Sequence, residues 1–220
     1  MKLHLLKKRE LSAGLLNVIL FFSTFLLTGL IGNRLYAQPA NTYSFAASSG
    51  TFTPLVGATA TSLASTADDA ISTAFPIGFT FVYDGVSYTQ AMASSNGVLL
   101  FGTGRAGTAN NNLATATATQ RPGIAPLWDD LQCRQGVNYL LSGTAPNRVL
   151  TVEWLNMEWN WGANNAVMSF QVRLYETTNV LDIIYRQEAN AGNPGGSSGA
   201  SIGIMGVASN NFISLTNTTT

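Results

Sequence analysis

An antiparallel β-sandwich, jelly-roll-like in its many short strands, is the fold class this sequence predicts, and three observations predict it. Apolar residues recur at period two over several segments, as in "FPIGFTFVY", where Phe75, Ile77, Phe79, Phe81 and Tyr83 share one face. Turn residues punctuate those segments at short intervals. Beyond the first forty residues no stretch carries a helical period.

Taken in chain order, the first element is not part of that sandwich. Lys2, Lys7, Lys8 and Arg9 are followed by the uncharged run Leu15 to Ile31 and then by "LYAQ". Basic, apolar and small-residue segments in that order are the layout of a secretory signal over 1–37, cut behind Ala37. The apolar run is also nearly long enough to span a bilayer, so an uncleaved anchor is the competing reading and the only route by which the chain would meet a membrane. With the positive charges held inside, either reading sends the chain after Gln38 across the membrane, to be secreted or held at the cell surface.

Removing 37 of the 220 residues leaves 183, enough for a single domain with a real core, expected over 38–216. The cut takes five of the eleven basic residues and one of the eleven acids, leaving six arginines, ten acids and a net charge near −4. The single histidine, His4, and every lysine also leave. A chain without histidine supports neither Ser-His-Asp nor Cys-His catalysis, nor the usual zinc sites. Without lysine there is no Schiff base and no Walker-type phosphate loop. Cys133 stands alone, so it makes no internal disulfide and reads as a small, partly buried residue. A mildly acidic domain with scattered arginines also argues against nucleic acid.

The strands follow in order. "FPIGFTFVY" returns through the two-residue turn Asp84-Gly85, which tolerates positive φ, into "VSYTQAMASS". Asn96-Gly97 turns the chain again before "VLLFG". "IAPLWDDL" is next, then "VNYLL" and "RVLTVEWLNMEW" joined by "SGTAPN". "AVMSFQVRLYE" directs Met168, Phe170, Val172 and Leu174 inward. "VLDIIYR", "SIGIMGV" and "NFISL" complete the set, and Asn217 to Thr220 reads as the start of a linker. Three segments fit no strand: Ser65 to Ala70 ("STADDA"), the polar Gly102 to Gln120, and the Gly/Ser-rich Asn190 to Gly199. Loops of such length in a compact domain are functional or mobile.

As an ordered set, "YSFAASSGTFTPL", "FPIGFTFVYDGVSYTQAMASSNGVLLFG", "IAPLWDDL", "APNRVLTVEW" and "FQVRLYETTNVLDIIY" resemble the N-terminal β-sandwich module of large secreted Bacteroidota proteins that carry a C-terminal sorting domain. More distantly they resemble the nidogen-like extracellular domain. The resemblance covers roughly Asn41 to Leu215. It implies an extracellular, non-catalytic module of adhesion or matrix proteins, and it brings no catalytic residue with it. In that family fibronectin-type repeats or a sorting domain follow, so the chain reads as a fragment.

Candidate site residues lie in two places. Asp129 and Asp130 follow Trp128, and adjacent residues of a strand point to opposite faces, so the pair does not readily converge on one substrate. One reading is a strand-end cap beneath a buried Trp128, with the carboxylates accepting backbone N–H bonds. The other is a calcium site in which Asp129 or Asp130 joins Asp68 or Asp69. The second place is Trp159, Asn160 and Trp161, where a strand runs into "GANN". Exposed indoles with a neighbouring amide would suit sugar rings, whereas packed ones would close the end of the core. Glu153 and Glu158 form the best carboxylate pair for a glycoside hydrolase. Their odd separation sets them on opposite faces of an unbulged strand, Glu158 beside Trp154 and Glu153 beside Leu155 and Met157. The expectation is therefore a non-catalytic adhesion or matrix module whose partner is an extracellular protein or polysaccharide. Glycan binding is the first alternative and hydrolysis the second.

Overall fold

The computed structural model describes residues 38–107, 111–162, 166–186 and 199–216. The proposed signal segment, most of Asn190 to Gly199 and the terminal linker lie outside them. Among the described residues twelve strands form two six-stranded antiparallel sheets, an all-β sandwich. The strands are β1 (Thr59–Ala60), β2 (Phe75–Tyr83), β3 (Val86–Ala93), β4 (Leu99–Phe101), β5 (Gly123–Trp128) and β6 (Leu131–Gln132). They continue as β7 (Val137–Ser142), β8 (Val149–Trp159), β9 (Ala166–Tyr175), β10 (Leu181–Tyr185), β11 (Ser201–Met205) and β12 (Phe212–Thr216). One sheet runs β1-β7-β8-β9-β10 with β6 added along β8; the other runs β12-β11-β5-β4-β3-β2. No helix among the described residues is long and apolar enough to cross a membrane.

Period-two patterning becomes packing directly. Along β2 the five aromatic and aliphatic residues are buried, while Pro76, Gly78 and Thr80 between them are exposed. Across from them stand Leu150, Val152 and Trp154 of β8 and Met168, Phe170, Val172 and Leu174 of β9, in one continuous core. Each large side chain fully buried there contributes roughly 1.5–3 kcal/mol. Asp84-Gly85 is the two-residue turn between β2 and β3, with φ of 48° and 79°, as the sequence predicts. At Asn96-Gly97 glycine is demanded twice. Its φ is 76°, and a Cβ would stand 2.0 Å from the carbonyl oxygen of Leu127.

The segment 102–120 has a role its polar composition hides. β4 and β5 are buried on both faces, because this loop folds over the outer side of their sheet. Leu113 and Ala116 from the loop pack on Val98, Leu100, Ala125, Trp128 and Met205 in a second apolar cluster. Arg121, only 2 % exposed, fastens the arrangement. It donates to the carbonyls of Leu113, Ala116, Gly206, Ala208 and Ser209.

One expectation about β8 is overturned. A bulge between Trp154 and Met157, with Asn156 at φ 52°, inserts an extra residue into the strand. Met157 therefore joins Trp154 in the core, and Glu158 turns to the outer face with Glu153. Asparagine tolerates left-handed backbone better than most residues, and that is the one local feature permitting the bulge.

Candidate functional site

Both candidate places prove to be one end of the sandwich. The chain leaves one sheet after Trp128 and enters the other at Leu131, so Asp129-Asp130 is the crossing between sheets. β6 then pairs with the end of β8, Leu131 opposite Trp159 and Gln132 opposite Glu158. Asp129 and the tryptophan end are thereby brought into contact.

Asp129 is 2 % exposed and fully engaged. Its Oδ2 accepts from the indole Nε1 of Trp159 at 2.6 Å. Its Oδ1 accepts from the backbone N–H of Asp130 at 2.9 Å and from Asn111 Nδ2 at 3.4 Å. Trp128 beside it is 2 % exposed, in the cluster beneath the long loop. Asp129 thus fixes the crossing and orients Trp159.

Asp130 meets the loop "STADDA". Asp68, Asp69 and Asp130 each present a carboxylate oxygen, all within 4.8 Å of one another. Sequence reasoning named all four aspartates; the structure groups these three and leaves Asp129 out. Burial, then the charge of Asp69, raises the Asp68 carboxyl above its ordinary pKa, against one backbone hydrogen bond that lowers it. Burial, then the charges of Asp69, Asp68 and Asp129, does the same to Asp130. Asp69 is held by Asn96, whose Nδ2 donates to its Oδ1 at 2.8 Å, so the Asn96-Gly97 turn sets the height of the loop. Asp68 Oδ1 is enclosed with no hydrogen-bond partner. Three carboxylates, one of which carries an enclosed oxygen without a partner, offer hard oxygen donors that fit calcium better than a softer metal.

The two tryptophans part company. Trp159 packs partly buried against the core, whereas Trp161 is 57 % exposed. Asn160, at φ 78°, turns the chain between them and accepts from the N–H of Gly162 at 3.2 Å. Asn164, an amide of the "GANN" that follows the indoles, lies outside the described residues.

The carboxylate pair is committed elsewhere. Glu158 is fully buried and paired with Arg134, and Gln132, its amide oriented to satisfy both groups, donates to Glu158 Oε2 at 3.0 Å and to the Trp161 carbonyl at 3.3 Å. Glu153, 1 % exposed, accepts from the backbone N–H of Leu55 and from Gln171 Nε2. That second arrangement is invisible in sequence, since Leu55 and Gln171 stand far from Glu153 along the chain. Cys133 is fully buried, and burial, then the charge of Asp68, pushes its thiol up to about 12. It is no nucleophile at neutral pH.

A family model described as NIDO related matches residues 42–220. No curated protein and no solved structure matches the chain.

Proposed function

The chain belongs to the NIDO-related family, an extracellular type of β-rich module, and from that premise we propose that it serves in adhesion or matrix interaction without catalysing a reaction. The observation that carries the non-catalytic half is the state of Glu153 and Glu158. A glycosidase needs two carboxyl groups open to the scissile bond, and these are 1 % and 0 % exposed, with hydrogen-bond partners in place. An N-terminal position in a secreted Bacteroidota protein with a sorting domain belongs to this same proposal. Beads coated with the exported domain should adhere to surfaces bearing extracellular protein or polysaccharide more than uncoated beads do. Equal retention on every surface would end the adhesion reading.

Glycan binding is the second reading, favoured by the exposure of Trp161 beside Asn160. A flat apolar face with an amide next to it supplies the two contacts a sugar ring offers.

Calcium is the cofactor this proposal carries, held by Asp68, Asp69 and Asp130. In metal-free buffer, Asp68 and Asp130 bind protons more readily in the folded chain than in the unfolded one. Their contribution to stability is then fully present below the unfolded carboxylate pKa of about 4 and is lost as pH rises through the raised folded values. A cation would remove that loss. At neutral pH, calcium at a hundredfold excess over its Kd is expected to stabilise the fold by about 2.7 kcal/mol, reversed by EDTA. Asp130→Asn is expected to raise the melting temperature in EDTA and to abolish the calcium response. An unchanged melting temperature with and without calcium would remove the metal from the account.

A further inference from the structure

The outer face of β8 and β9 holds a polar pair that the tryptophan end does not use. Glu153 and Gln171 stand opposite each other in the ladder, 1 % and 0 % exposed. Gln171 Nε2 donates to Glu153 Oε2 at 2.7 Å and to the carbonyl of Thr53 at 2.8 Å. The N–H of Leu55 donates to the two Glu153 oxygens at 3.1 and 3.3 Å. Arg173 Nη2 donates to Gln171 Oε1 at 3.1 Å and so fixes which way the amide points.

The segment they hold belongs to no strand. Thr53 and Pro54 are exposed, and Phe52 lies with its ring 5.7 Å from the Arg186 guanidinium. What the buried pair reads is one C=O and, two residues on, one N–H. Those are the main-chain groups that an extended segment turns to one side. The strap leads into β1 through an open joint. Val56 is 88 % exposed, and Gly57, at φ 72°, has nothing within 4 Å of where a Cβ would be.

We propose that this face is an interaction surface for an extended main chain, and that its occupant between molecules is the 52–55 strap of a second copy of this chain. Buried, preset polar side chains aimed at the backbone of a segment outside either sheet form a recognition site, filled in the single chain by its own residues. The contacts made in trans repeat those given up in cis, as in exchange of an identical element between protomers. The tethered strap competes at an effective concentration on the order of millimolar, so exchange belongs where copies are crowded. The surface is separate from the tryptophan end, and its test is independent of the adhesion reading.

The probe is a labelled synthetic peptide of residues 49–58, titrated into the full chain by fluorescence anisotropy. Leu55→Pro removes the N–H that docks the chain's own strap, and Phe52→Ala loosens the strap while sparing the pair. Leu55→Pro is expected to bind the peptide at least about tenfold more tightly than the unaltered chain, the worth of one hydrogen bond to a charged group, and Phe52→Ala about two- to fivefold more tightly, the worth of one exposed cation–π contact. Adding Gln171→Ala to either is expected to abolish that gain. Should Leu55→Pro fail to fold, Phe52→Ala alone carries the comparison. Peptide affinity equal in the unaltered chain and a folded variant, or a gain that survives Gln171→Ala, would overturn the proposal.

Discussion

Arg121→Met is expected to destabilise the domain by about 3–5 kcal/mol, from the loss of a buried guanidinium's hydrogen bonds to five carbonyls. Arg121 is 2 % exposed, and burial lowers its pKa, yet its fork reaches Ala116 at 3.0 Å, Ala208 at 3.1 Å and Ser209 at 3.0 Å, with Leu113 and Gly206 completing the set. Methionine keeps much of the length and none of the donors. Its loss would also free the loop from Trp128 and Met205, so the loop's amide protons should exchange faster than those of β8. Urea unfolding measures the first effect and hydrogen exchange the second. A cost under about 1 kcal/mol would show that the loop is held by its apolar contacts alone.

Trp159→Ala and Trp161→Ala should behave differently although they are two residues apart. Trp159 packs against the core and donates to a carboxylate, Asp129, that is 2 % exposed. Removing it takes away a large aromatic surface and one hydrogen bond of that buried acid, a loss of about 3 kcal/mol, at the lower end for buried aromatics because the ring is only partly enclosed. Trp161 is 57 % exposed, and its replacement should leave the unfolding midpoint within about 0.5 kcal/mol of the original. If the glycan reading is right, Trp161→Ala is the variant that loses retention on polysaccharide gels while melting normally. Equal destabilisation by both substitutions would mean that the two indoles act as one lid on the core.

Much of the fold is legible in the sequence because alternation and turn chemistry are local signals. Phe75 to Tyr83, Met168 to Leu174 and the Asp84-Gly85 turn each follow from residues within a few positions. The β8 bulge is not legible, since Asn156 permits a left-handed residue without requiring one, and a single inserted residue reverses the facing of everything after it. That is why Glu158 reads as a neighbour of Trp154 in sequence and lies with Glu153 on the outer face instead. The long loop reads as polar and unattached because its apolar contribution rests on Leu113 and small alanines, while its fastening rests on an arginine just beyond it.

Of the site, the residue types were legible and their grouping was not. Adjacent aspartates at a strand end do not readily converge, and the sequence says so; which of them meets Asp68 and Asp69 depends on where the chain crosses between sheets. The pairing of Asp129 with Trp159 likewise depends on β6 lying along β8, a contact set by tertiary register. Gln171 gave no signal at all, because an amide among inward-pointing apolar residues reads simply as the solvent side of a strand.

The most direct test of the account is a single incubation in which binding and turnover are read together. Exported domain is placed on immobilised polysaccharides and extracellular matrix proteins with calcium present, and both the retained protein and the soluble products are quantified. Retention without product release is the expected result, unchanged in Glu158→Gln if that variant still folds. Release of products by the unaltered domain, stopped by Glu153→Gln or Glu158→Gln in a folded variant, would contradict it.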